Sequence, residues 1–149
     1  MHPTIKQRLK GYVLLRRSVE NQLERLARLK NAELIPAFKE SDGSQKPPAT
    51  DSSRMENAIV RRLTYEDEIM PDVEAKMAEM DAIRAIVNSL ADPQEQDVLN
   101  ARYIDAEGYR PTPWRFVAMK MYGDDDENIL KALQRIHDRA LENIQATEA

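Results

Sequence analysis

Leu90-Ala-Asp-Pro-Gln-Glu-Gln-Asp-Val-Leu-Asn-Ala-Arg-Tyr-Ile104 is the stretch on which the reading of this chain turns. Asp92, Pro93 and Glu95 make a helix start: a capping carboxylate, a proline in the first turn, where no backbone donor is needed, and an acidic side chain three residues after the cap. Val98, Leu99, Arg102, Tyr103 and Ile104 carry the helix onward. Gly108 and Pro111 mark a loop. Thr112 and Pro113 then repeat the cap-then-proline device for Pro113-Trp-Arg-Phe-Val-Ala-Met119, a helix expected to end at Met121. Tyr122-Gly-Asp-Asp125 turns the chain. Asp125 or Asp126 is expected to cap a last helix that runs to about Gln145, with Ile129, Leu133, Ile136, Ala140 and Ile144 as its buried stripe.

Two long helical patterns precede this segment. Ile5, Leu9, Tyr12, Arg16, Val19, Leu23, Leu26 and Lys30 fall at alternating steps of four and three, the spacing of a coiled-coil seam, in a helix from Ile5 to Asn31. Arg16 and Lys30 interrupt the seam, and their aliphatic stems are expected to cover it while the charges reach water. A second pattern, Arg54 to Leu90, has Met55, Ile59, Leu63, Ile69, Val73, Met77, Met80, Ile83, Val87 and Leu90 as its stripe and Asp51 or Ser52 as its N-cap. Pro71 predicts a kink or short break near Ile69–Met70. Residues 36–53, rich in turn formers with adjacent prolines, read as a mobile surface loop. The fold expected is all-α: a long antiparallel hairpin over 1–90, then a small C-terminal unit over 91–149.

The composition excludes several classes. With no cysteine, the chain has no disulfide, thiolate nucleophile or Cys-ligated metal. No apolar run approaches the roughly 20 residues that span a bilayer, and Met1 to Lys10 lacks the apolar core of a signal peptide. The expectation is a cytoplasmic protein with no membrane partner. Net charge is −4, and its distribution matters more than its sum. Met1–Ile35 holds 8 Lys/Arg against 3 Asp/Glu, whereas Asp92–Ala149 holds 7 against 12. The basic charge is concentrated in the first helix.

No enzyme constellation emerges, and no cofactor or metal site is expected. There are two histidines. His2 is terminal, and His137 has no ligand-spaced partner, so it reads as a structural histidine on a helix surface. Asp124-Asp-Asp-Glu127 sits at a helix start, where acidic side chains complement the helix dipole, and capping is preferred there to metal binding. Met70, Met77 and Met80 read as adaptable core fillers.

The order of Arg102-Tyr103, Trp114-x-x-Val117-Ala118, Gly123 and Arg139-Ala-Leu141 resembles region four of bacterial sigma factors. The long helical pair ahead of it is similar to phage late-gene activators of the ArpU/RinA-like group. The resemblance covers about 55 of 149 residues. It implies a helix-turn-helix in which one helix crosses the DNA backbone and positions the next in the major groove. Carried over from it, Lys131, Gln134 and Arg135, with Asn128, face the groove, while Arg110, Arg115 and Lys120 contact phosphates. The implied protein is a phage- or prophage-encoded, sequence-specific transcription regulator. It would bind double-stranded DNA, have RNA polymerase as a further partner, and act as a homodimer or higher oligomer through the hairpin. Two alternatives stay open: a protein-interaction module that contacts polymerase or a sigma factor without reading DNA, and a small terminase-like packaging subunit. The expected core of the C-terminal unit is Leu99, Tyr103, Trp114, Val117, Ala118, Leu133, Ile136 and Leu141.

Overall fold

A computed structural model of the protein describes residues 4–34 and 48–148, with no strand among them. Five α-helices follow in order: α1 (Ile5–Leu34), α2 (Pro48–Asn88), α3 (Pro93–Leu99), α4 (Trp114–Tyr122) and α5 (Glu127–Glu148). A π-helical turn, Asn100–Ile104, prolongs α3. The chain divides into two compact units, one of 1–17 with 77–149 and one of 18–76. The division passes through both long helices, and residue 90 lies inside the first unit.

Helix starts are set by local hydrogen bonding, not always where the sequence suggested. α1 opens with a reciprocal box. The Gln7 amide donates to Thr4 Oγ1 at 3.2 Å, and the Thr4 amide donates to Gln7 Oε1 at 2.9 Å. At α3, Asp92 caps as expected, accepting from the Gln94 amide at 2.9 Å, with Pro93 in the first turn. Glu95 does not close a box there; it is buried and turned towards α5. Pro113, not Thr112, occupies the cap of α4, and no side chain caps that end. α2 begins at Pro48, ahead of Asp51 and Ser52, so 48–53 is helix rather than loop, and 36–47 lies outside the described residues. α2 also runs through Pro71 without a break. Pro71 and Asp67, whose carbonyl loses its donor, are both exposed, so water can replace the missing bond.

In the first unit, Val98, Ala101, Val117, Ala118 and Leu133 form a buried cluster, with Trp114, Met121, Ile129, Leu130 and Ile136 packed against it. Ile5, Leu9, Tyr12 and Val13 of α1, Met80, Ile83 and Val87 of α2, and Leu90 just beyond its end are also buried. Arg16 is half-buried and engaged rather than simply solvated as expected; its Nη1 donates to the Ile104 carbonyl at 2.9 Å, at the end of the π turn. Arg8 pairs with Glu79 at 2.7 Å, and the Tyr12 hydroxyl accepts from Arg84 at 2.6 Å.

In the second unit, Val19, Leu26, Ile69 and Val73 are buried. Lys76 Nζ donates to Ser18 Oγ at 2.6 Å, Gln22 Nε2 donates to Asp72 Oδ2 at 3.0 Å, and the Tyr65 hydroxyl reaches the Gln22 carbonyl at 3.4 Å. Leu23, Met55, Ile59, Val60 and Leu63 are exposed, although four of the five belong to the expected stripes. Among the described residues, no helix is long and apolar enough to cross a membrane.

Candidate nucleic-acid interface

α4 and α5 are joined through Gly123, whose φ of 70° lies in the left-handed region. A side chain there would be strained by its backbone, which is why glycine closes this helix. The Gly123 amide donates to the Met119 carbonyl at 2.9 Å. Asp126 supplies the carbonyl for the first turn of α5, accepting from the Leu130 amide at 3.0 Å, and its own amide donates to Asp124 Oδ1 at 3.2 Å. The acidic run is thus partly spent on its own turn, and all four of its side chains are exposed. Val117 and Ala118 have no exposed surface and pack against Leu133. Small Ala118 lets the two helices approach closely.

α5 is amphipathic through most of its length. Leu133, His137, Ala140, Leu141 and Ile144 are buried, whereas Asn128, Lys131, Gln134 and Arg135 are exposed on the other side. These four expected groove residues therefore share one helix face, as their three- and four-residue spacing requires. Asp138 and Glu142 are exposed on the same side of the helix. Lys131 lies 3.8 Å from Glu127, one turn earlier.

The three expected phosphate contacts do not form one group. Arg110 and Lys120 border a groove of about 670 Å³ between the 105–113 loop and α4, together with Tyr109, Pro111 and Phe116. Lys120 also sits 3.7 Å from Asp105. Arg115 is exposed on α4 but lines neither this groove nor the smaller cavity beside α5.

Behind α5 lies a polar cluster that the sequence did not reveal. His137 is not a surface residue; it is 5% exposed. The Tyr103 hydroxyl is 2.7 Å from its Nε2, and Asp138 Oδ1 is 3.1 Å from its Nδ1. A neutral ring with its proton on Nδ1 satisfies both contacts, accepting from Tyr103 and donating to Asp138. Burial lowers the His137 pKa against the opposing pull of Asp138, and burial raises that of Tyr103, so both stay in the forms this pairing needs. Trp114 meets the imidazole edge-on at 5.1 Å. The Arg102 guanidinium lies 4.7 Å from the Trp114 ring and donates through Nη1 to the Thr112 carbonyl, while its buried Nε has no acceptor. Trp114 is only half-buried, a correction to its expected place in the core.

The π turn is what brings Arg102 and Tyr103 here. The Asp105 amide donates to the Asn100 carbonyl at 2.8 Å, five residues back, so the turn holds one residue more than an α-helix would. Residues 100–104 give no composition signal for this. The charge imbalance also changes on folding. Lys6, Arg8, Lys10, Arg16 and Arg17 join the C-terminal helices in the first unit, which then holds 13 Lys/Arg against 14 Asp/Glu.

Comparison with known proteins adds no relative: no family model, curated protein or solved structure matches this chain.

Proposed function

We propose that the protein is a sequence-specific DNA-binding transcription regulator of phage type, in which α4, the Gly123 turn and α5 act as a helix-turn-helix of the sigma region four kind. The observation that carries this reading is the division of α5. One face packs on Val117 and Ala118 through Leu133, and the other offers Asn128, Lys131, Gln134 and Arg135 to solvent. A helix held by its back, with amide and guanidinium groups on its front, is what major-groove reading requires. The near-neutral balance of the first unit supports the reading, because basic α1 offsets the acidic C-terminal segment.

The pairs Ser18–Lys76 and Gln22–Asp72 support an antiparallel α1–α2 hairpin, since the partner number falls along α2 as it rises along α1. Exposed Leu23, Met55, Ile59, Val60 and Leu63 support a homodimer or higher oligomer formed on that hairpin. Selection from a randomised duplex pool at low salt, with the protein shown to be folded, is expected to recover an enriched sequence. Recovery of none overturns the reading.

A second reading is favoured by a different observation. Tyr109, Phe116, Met119 and Tyr122 are each 47–66% exposed around α4. Such a surface suits a protein partner, with RNA polymerase or a sigma factor as the candidate. On this reading Phe116→Ala abolishes capture of polymerase, and Arg135→Ala leaves it unchanged.

A further inference from the structure

α1 enters the first unit carrying Lys6, Arg8, Lys10, Arg16 and Arg17, with no acidic residue before Glu20. The arginines are engaged within the unit: Arg8 on Glu79, Arg16 on the Ile104 carbonyl, and Arg17 on the carbonyls of Glu107 and Gly108. The two lysines are placed differently. Lys6 and Lys10, one helical turn apart, border a cavity of about 210 Å³ whose other walls are Arg102, Trp114, Gln134 and the Tyr103–His137–Asp138 chain.

The charge of this cavity is one-sided. Three of its lining residues are cations and one is a carboxylate, and that carboxylate already accepts from His137 Nδ1 at 3.1 Å. The imidazole adds no opposing charge. Arg102 is held in place by the Trp114 ring and the Thr112 carbonyl. The two ammonium groups and the Gln134 amide supply several donors. Net positive charge, spare donors and a small concave volume together describe a seat for a tetrahedral oxyanion. Gln134 also belongs to the exposed face of α5, so the cavity opens beside that face.

We propose that the cavity formed by Lys6, Lys10, Arg102 and Gln134 binds a phosphate group. The group comes either from the backbone of a DNA strand lying along α5 or from a small phosphorylated ligand. Only the first source rests on the DNA-reading function proposed above. In that case α1 grips the backbone while α5 reads the bases, and the basic helix does the work that the acidic C-terminal segment cannot.

The full-length chain is titrated with inorganic phosphate at ionic strength held constant with chloride. Trp114 is the only tryptophan and lines the cavity, so its emission reports occupancy. The His137 ring resonances give a second readout. A saturable response is expected, at least tenfold weaker in Lys6→Ala/Lys10→Ala with helix content unchanged. Phosphate should also raise the His137 pKa, because the anion offsets the fields of Lys6 and Arg102. A response that follows ionic strength alone, or that is undiminished in the double variant, overturns the proposal.

Duplex DNA then identifies the source. If the double variant weakens all duplexes alike and lowers the salt slope by about two, one per lysine, the phosphate belongs to the backbone. If inorganic phosphate saturates the site while duplex binding is absent or unaffected by the variant, the ligand is a free phosphoryl group. Absent duplex binding also removes the DNA-reading function, leaving the phosphate site standing.

Discussion

The buried carboxylate of Glu95 accepts from Arg139 Nε at 2.9 Å, fastening the first turn of α3 to α5. Asn143, one turn further along α5, donates to both Glu95 oxygens at 2.9 and 3.0 Å, and Arg139 Nη2 reaches Asp92 at 3.2 Å. Glu95 is 2% exposed, whereas the Arg139 side chain is 54% exposed. The two partners therefore differ in what their loss leaves behind.

Arg139→Ala strands a charge in the interior with only Asn143 to serve it, and is expected to cost about 2–3 kcal/mol, below the usual figure for a fully buried pair because Asn143 remains. Glu95→Gln leaves a guanidinium that can turn to water, and should cost less. Urea denaturation of both variants checks the order, and equal losses would show that the pair is not the fastening.

Stability should depend on pH through His137. Its folded pKa lies below the unfolded value, chiefly through burial, so the unfolded chain takes up the proton more readily. The contribution is complete above the ordinary histidine range and is lost as pH falls through about 6.5 towards the folded value. Tyr103, Asp138, Arg102 and Lys6 are the ionisable groups around it. His137→Gln should flatten this part of a stability–pH curve measured between neutrality and mild acid. A slope that survives the substitution would assign it to other groups.

Leu23 is 40% exposed in the single chain, so Leu23→Asp should fold with unchanged helix content. If the hairpin faces assemble, the charge would be buried on association and the variant should dissociate. Light scattering at micromolar concentration decides this. A strict monomer in the unsubstituted protein would remove the proposed oligomer.

Arg135 and Arg115 should behave differently on DNA. Arg135→Ala removes a candidate base contact and is expected to cost about 1–3 kcal/mol on the preferred sequence while relaxing preference. Arg115→Ala should weaken all sequences alike and reduce the salt slope by about one. Binding of preferred and scrambled duplexes across a salt series separates the two.

Much of the helical framework was legible because its signals are local. The helix over Ile5–Leu26, the Asp92-Pro93 start and the Gly123 turn each depend on a few neighbouring residues and are present, and of the expected seam Ile5, Leu9, Tyr12, Val19 and Leu26 are buried while Leu23 is exposed. The four α5 positions fell on one face because periodicity alone places them there. What depends on distant partners was not legible. Glu95 has the spacing of a capping box, but Arg139 and Asn143 draw it inward, while the reciprocal box forms at Thr4 and Gln7. Arg16 reads as a solvated interruption of an apolar seam, yet it donates a hydrogen bond to a carbonyl 88 residues away. His137 is buried because Tyr103 completes its hydrogen bonding, and that pairing exists only once the chain has folded.

The π turn at Asn100–Ile104 admits one extra residue into the helix that α3 begins. Removing a single residue there would restore ordinary α-helical spacing and leave what precedes the turn aimed nearly as before, because the wider turn takes up its extra residue by unwinding locally. Glu95 would still meet Arg139, but Tyr103, which lies inside the turn, would lose its present approach to His137. The inserted residue thus works as a slack link that sets one pair and spares the other. A deletion scan would find it, as a smaller loss of stability within these five positions than for the same deletion inside α3, where each residue removed turns the helix by about 100°.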